Sequence, residues 1–345
     1  MSSEFLRNAW YVAASSDEIG HTPFPRRLLD EPVVMYRTEA GRAAALEDRC
    51  CHRRAPLSKG KVIGDRLQCG YHGFTFDADG DCVGIPDQDH VPRLGVRAYP
   101  LVERHGFLWI WMGEADRADP ASVPDFKENV AFGWRPTRGL MPIACHYQLV
   151  AENLLDLSHV GFVHGETIGT DDSQATLDCD RGLDFVRILC DATDVATPPG
   201  YLMQGFAPRS DQCKVITFRP PCQVQILVST TERAPEKVAP RRCRVMVLNA
   251  CTPETERSTH YFFVSARDFD DGPEITEKLR RNTWKTFSED KAILEAQQRA
   301  IELDPTARTV NVSADWGNVQ MRRLMATLIA EENEDEAAAT QAAAQ

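Results

Sequence analysis

Two Cys–His pairs constrain this chain more than anything else in it. Cys50-x-His52 is followed, after sixteen residues, by Cys69-x-x-His72. Each pair offers one thiolate and one imidazole from a short loop, and four such ligands can hold metal. A tetrahedral zinc site is one reading, but structural zinc usually takes two Cys from one hairpin and two His from a helix. Mixed pairs on two β-loops suit a 2Fe–2S cluster better, with two thiolates on one iron and two imidazoles on the other. Neutral imidazoles leave less negative charge on such a cluster, so it accepts an electron more readily. Cys51 adjoins the first pair; the spacing assigns Cys50 as ligand and Cys51 to packing. The chain has 11 cysteines in no regular framework, which argues against a disulfide scaffold. Most of the others are expected to be small buried hydrophobes.

A second constellation reads Asn153-x2-Asp156-x2-His159-x4-His164. Leu149 to His159 has helical spacing, with Leu154 and Leu157 apolar and Gly161 as a stop. Asn153, Asp156 and His159 step by three, which would place them on one helix face. His159 and His164 are five apart, about 140° on a continuous helix of 3.6 residues per turn. They can converge only if the helix ends between them, and Gly161 is where it could end. Two converging imidazoles suit a 2-His-1-carboxylate site for Fe(II) with positions open to O2. The plainer alternative is an amphipathic helix with capping polar residues and two ordinary histidines.

The carboxylate must come from elsewhere. Glu274 to Ile301 is the strongest helical segment, with no Pro or Gly inside it. Phe287, Leu294 and Ile301 recur every seven residues along its buried stripe. Asp290 falls on that stripe, and a carboxylate aimed into a core needs a charge partner such as a metal. Its neighbour Glu289 fits a solvated Ser288-Glu289-Asp290-Lys291 run.

The first third of the 345 residues reads as short strands: Val33–Tyr36, Ala43–Leu46, Phe74–Phe76 and Leu108–Met112. A polar segment, Glu114 to Asp125, carries Pro120 and Pro124 and marks a domain boundary. Strand-like runs at Val224–Val228, Arg244–Leu248 and His260–Val264 then precede the long helix. The expected class is α+β: an all-β domain over 1–118, a helix-covered antiparallel sheet over 119–330, and a frayed or disordered tail over 331–345. The net charge of −12 argues against nucleic-acid binding and against docking on anionic lipid. No apolar run reaches the roughly 18 residues of a membrane span, and no secretory signal is legible, so the cytoplasm is expected. No GxGxxG stands between a strand and a helix, so neither flavin nor nicotinamide is expected on this chain.

Taken together, the two Cys–His pairs, the Asp156–His164 constellation and the late Asp290 resemble the terminal oxygenase component of Rieske non-haem iron oxygenases. The resemblance runs from Arg7–Ala13 to about Leu328. The length, Thr252–Glu256 and His260–Phe263 are similar to the vanillate O-demethylase, toluenesulfonate methyl-monooxygenase and dicamba O-demethylase branch.

That resemblance implies a Rieske 2Fe–2S cluster on Cys50, His52, Cys69 and His72. It implies a mononuclear Fe(II) on His159, His164 and Asp290. A separate reductase, with flavin and a plant-type 2Fe–2S centre, would pass electrons from a nicotinamide cofactor. The reaction would be O-demethylation, or methyl or C–H hydroxylation, of a small aromatic acid with O2. The assembly would be a head-to-tail homotrimer, with Asp156 joining His72 of one subunit to His159 of the next. Asn153 is expected beside the iron, and Leu154 and Asn249 in the substrate pocket. Dicamba-type members place a His and a Trp on the substrate carboxylate where this chain has Asn249 and Arg281, so dicamba is not an expected substrate. Three alternatives stay open: a cis-dihydroxylating ring dioxygenase, a non-catalytic Rieske electron-transfer protein, and a zinc-stabilised binding module.

Overall fold

The computed structural model describes residues 4–165, 168, 175–198, 202, 205–233, 239–270 and 272–343. The chain divides into two compact units. One is built on residues up to Asp125, with Thr252–Glu256 and the residues from Asp335 onward; the other is built on Phe126–Cys251 and Arg257–Glu334. The division falls at the end of the polar segment rather than at 118. The reason is local: the Trp10 indole donates to Asp119 O at 2.9 Å and to Ser122 Oγ at 3.1 Å, which ties that segment to the first unit.

The first unit is all-β. Its strands are β1 (Trp10–Ser15), β2 (Phe24–Leu28), β3 (Glu31–Arg37), β4 (Ala43–Glu47), β5 (Lys61–Ile63), β6 (Arg66–Gln68), β7 (Thr75–Phe76), β8 (Cys82–Gly84), β9 (Leu101–Arg104) and β10 (Phe107–Trp111). They form three antiparallel sheets, ordered β1-β10-β9, β2-β3-β4 and β5-β6-β7-β8. All five residues of β10 are buried, as an uninterrupted aromatic and branched run requires. The first Cys–His loop leaves β4 and the second leaves β6, so two different sheets present the two halves of one site.

The second unit holds a seven-stranded antiparallel sheet. Its strands are β11 (Arg135–Ile143), β12 (Thr176–Arg181), β13 (Val186–Ala196), β14 (Arg209–Arg219), β15 (Gln223–Glu232), β16 (Arg242–Thr255) and β17 (Ser258–Arg267). Their order is β11-β17-β16-β15-β14-β13-β12. Register aligns Val186, Phe218, Val224 and Asn249 as one cross-strand row, and all four are fully buried. The helices are α1 (Tyr147–Leu155), α2 (Val160–Val163), α3 (Pro273–Leu303) and α4 (Trp316–Ala343).

Helix α3 is fastened along the β11 edge. Glu295 accepts from Ala144 N and Gln298 from His146 N, each at 3.0 Å. Phe287 and Trp284 of α3 pack edge-on against Phe263, at 4.9 and 5.2 Å between ring centroids. Arg322 of α4 meets Glu152 of α1 at 2.8 Å, bracing the helix that leads into the histidines. Residues 331–343 do not fray as expected but continue α4. Ala, Glu and Gln are strong helix formers, and a helix already started extends at little further cost.

The Phe263 ring lies directly over Gly139, where an added Cβ would stand 2.1 Å from the ring. That ring is 1% exposed and boxed in by three aromatic neighbours, so it cannot swing aside. Gly139→Ala is expected to destabilise the protein by about 1–3 kcal/mol through overpacking, read from its denaturant midpoint.

Candidate metal centres and active site

The two Cys–His loops are twins in backbone. In the first, Cys50 N donates to Ala55 O at 2.9 Å and Arg54 N returns to Cys50 O at 2.9 Å. In the second, Cys69 N donates to Phe74 O at 2.7 Å and Gly73 N returns to Cys69 O at 3.1 Å. Arg54 and Gly73 both turn through positive φ, at 57° and 75°, which lets each loop reverse after its ligands. Gly70 brings the second loop against Lys59, where a Cβ would meet the carbonyl oxygen at 2.4 Å.

The side chains differ in burial by type. Cys50 and Cys69 are buried, while His52 and His72 are exposed with ring centroids 4.7 Å apart. His52 also stacks on Phe74 at 4.7 Å. Burial pushes the Cys50 thiol up to about 11, so it ionises readily only with a cation to hold. Cys51 is exposed rather than packed as the spacing suggested. Two buried thiols and two outward imidazoles fit a cluster with inner and outer irons.

Helix α1 does not run to Gly161. It ends at Leu155, and Asp156 adopts an extended backbone (φ −91°, ψ 118°). The Asp156 side chain accepts from Ser158 N at 2.7 Å, the local bond by which a short carboxylate competes with helix. His159 then precedes the single turn of α2, and His164 follows it. The break therefore lies before His159, and Asn153, Asp156 and His159 do not share one helix face. The turn of α2 between them lets the two imidazoles converge.

They converge through Nε2. His159 Nε2 and His164 Nε2 are 3.3 Å apart, and Asp290 Oδ1 lies 3.5 Å from the first and 3.0 Å from the second. One ligand atom from each of these three residues lies within 4.8 Å of the others. Asp290 is 6% exposed. Burial opposes its ionisation, but hydrogen bonds from both histidines outweigh this and hold its carboxyl below the usual carboxylate range. Asn153 Nδ2 donates to the same Oδ1 at 3.2 Å and lies 3.4 Å from His159 Nε2, so the structure brings Asn153 to the triad.

Behind each imidazole stands a carboxylate. His164 Nδ1 is 2.9 Å from Glu289 Oε2. His159 Nδ1 is buried without a hydrogen-bond partner, and Asp156 Oδ2 waits 3.9 Å away. Burial alone would lower the pKa of His164, but Asp290 and Glu289 together raise it. Glu289 is thus not part of a solvated run. One residue before Asp290 is about 100° round a helix, and that rotation carries its side chain to the far side of His164. The arrangement, two imidazole nitrogens and one carboxylate oxygen with the His164 ring held from behind by Glu289, fits a mononuclear iron.

Two further expected residues lie in the same unit. Leu154 is buried on α1. Asn249 is fully buried on β16; its amide donates to Val224 O at 2.9 Å and accepts from the Tyr261 hydroxyl at 2.7 Å.

Comparison with known proteins agrees with this arrangement. Residues 9–100 match the Rieske [2Fe–2S] domain, and residues 143–331 match the vanillate O-demethylase oxygenase C-terminal domain. The chain belongs to the Rieske non-haem iron oxygenases, as an oxygenase component that carries a 2Fe–2S cluster and a mononuclear iron. Within them it falls in the vanillate O-demethylase type.

It is 36% identical over 342 residues to the toluene-4-sulfonate monooxygenase system iron–sulfur subunit TsaM1 of Comamonas testosteroni, covering 95% of this chain and 98% of that one. It is 35% identical over 341 residues to a vanillate O-demethylase oxygenase subunit of Pseudomonas sp., covering 96% of each. The crystal structure of dicamba monooxygenase bound to 3,6-dichlorosalicylic acid superposes with a TM-score of 0.88 at 33% identity, covering 95% of this chain and 98% of that one. The names of both relatives describe one subunit of a larger enzyme system. Among the described residues no helix is long and apolar enough to cross a membrane.

Glu289→Ala removes the acceptor behind His164. It is expected to weaken iron binding about 10- to 100-fold, measured by Fe(II) titration of metal-depleted protein, while the visible spectrum of the 2Fe–2S cluster stays unchanged.

Proposed function

We propose that this chain oxidises a small aromatic acid by O-demethylation, or by methyl or C–H hydroxylation. Electrons would come from a separate reductase carrying flavin and a plant-type 2Fe–2S centre. The observation that carries the reading is the convergence of His159 Nε2, His164 Nε2 and Asp290 Oδ1 on one point, with a carboxylate behind each ring. A protein that only relays electrons through a Rieske cluster has no use for this second set of ligands. The substrate class is supported by the relatives, whose names carry toluene-4-sulfonate and vanillate.

In this reading Cys50 and Cys69 hold one cluster iron and His52 and His72 the other, while His159, His164 and Asp290 hold the mononuclear iron. When bound, these groups relay single electrons and activate O2. For a methoxy substrate the balance is one O2, two electrons and two protons per molecule, giving the phenol, formaldehyde and water.

The chain's own residues do positional work. Glu289 accepts a hydrogen bond from the Nδ1–H of His164, and Asp156 stands 3.9 Å from Nδ1 of His159, placed to accept from it in the same way. Both rings are then neutral tautomers with the Nε2 lone pair turned inward. Asn153 donates to Asp290 and limits its rotation. Asp156 also bridges to His72 of a neighbouring subunit, in a head-to-tail homotrimer.

The test is oxygen uptake with a plant-type ferredoxin reductase and NADH across methoxybenzoates and methylbenzenesulfonates. Formaldehyde or benzylic alcohol is the expected product; a cis-diol would replace the reading with ring dihydroxylation. Asp156→Asn keeps nearly the same volume but loses the charge. It should retain both metals and a dithionite-reducible cluster, while steady-state turnover falls by about 10- to 100-fold, as loss of a group orienting a metal-bound histidine warrants. Near-normal turnover in that variant would remove Asp156 from the electron path.

A further inference from the structure

Thr286 on α3 is 3% exposed, and its hydroxyl has no hydrogen-bond partner. A helical Ser or Thr ordinarily bonds its hydroxyl to the carbonyl one turn back. Ser288 does so on this same helix, to Trp284 O at 2.7 Å, and Thr327 and Thr340 do so on α4. Thr286 stays buried without that bond, at a cost comparable to a lost hydrogen bond.

Its direction follows from helix geometry. At about 100° per residue, Phe287 lies about 60° to one side of Asp290 and Lys291 about 100° to that same side. That is the sheet side: Phe287 packs on Tyr261 and Phe263, and Lys291 reaches Pro142 O of β11. Glu289 lies about 100° to the opposite side, against His164. Thr286 falls about 40° to the histidine side and one turn before Asp290. Thr286 is therefore carried on the histidine side of α3, away from the sheet.

We propose that Thr286 is a substrate-binding residue whose hydroxyl donates a hydrogen bond to an oxygen of the aromatic substrate, from its methoxy, phenol or acid group. This rests on the aromatic-substrate reading of the same site. The ligand-free protein holds an unmade hydrogen bond, and the substrate completes it.

That arrangement has a two-sided signature. Thr286→Val keeps the branched shape and removes the hydroxyl; Thr286→Ser keeps the hydroxyl. Iron-depleted, substrate-free Thr286→Val should melt at or above the wild-type temperature, because an unsatisfied buried group has been removed. In equilibrium dialysis of the anaerobic, iron-loaded protein, its dissociation constants for vanillate and toluene-4-sulfonate should rise about tenfold, the worth of one hydrogen bond. Thr286→Ser should bind within about twofold of wild type. Unchanged binding by Thr286→Val overturns the proposal. So does weaker binding together with a lowered melting temperature, which assigns the hydroxyl to the fold. Wild-type protein that binds none of the aromatic acids overturns the underlying substrate reading instead, and the role of Thr286 with it.

Discussion

Asp290 is a buried carboxylate set between two imidazoles, and the second unit depends on how that group is accommodated. A charge so enclosed is costly unless it is paired and hydrogen-bonded. Here His164 at 3.0 Å, His159 at 3.5 Å and Asn153 at 3.2 Å surround one carboxylate oxygen. The partners arrive from the end of α1 and the two flanks of α2, and meet Asp290 in the middle of α3. Each element must be held in place for the cluster of donors to exist. Arg322–Glu152 holds α1, and the amide bonds to Glu295 and Gln298 hold α3 along β11.

The same economy of backbone shapes the first unit. Two loops from different sheets repeat one hydrogen-bonded reversal around Cys50 and Cys69. The difference of one residue between Cys-x-His and Cys-x-x-His lies inside that common frame. Both loops bury the thiol and expose the imidazole. An electron carrier with inner thiolates and outer histidines presents its more easily reached side to whatever delivers or takes electrons.

Much of the site was legible in order along the chain, and the errors have identifiable causes. Asp290 was found because it interrupts an apolar stripe, which is a local pattern of period 3.6. Glu289 was read as solvated because the same pattern places it off that stripe; nothing local says that His164 lies on the other side. The helix end was placed at Gly161 because glycine is the stronger stop signal. Asp156 ended it five residues earlier by bonding Ser158 N, a contest between side chain and backbone that spacing does not rank. Residues 331–343 were misjudged because an absent apolar face was taken for absent structure, whereas their composition favours helix wherever a helix is already running.

The sequence by itself determined the spacing of the two Cys–His pairs, seven of the seventeen strands among the described residues and the α+β class. All of these are written in spacings of two to seven residues, the scale on which strands, helices and loops repeat. Only the tertiary structure decided which nitrogen of each histidine faces inward, which carboxylate stands behind it, and that the Thr286 hydroxyl is buried without a partner. The contacts of His164 with Glu289 and Asp290 join residues more than a hundred positions apart. They depend on how helices dock against a sheet, which is set by packing the whole core at once rather than by any local pattern.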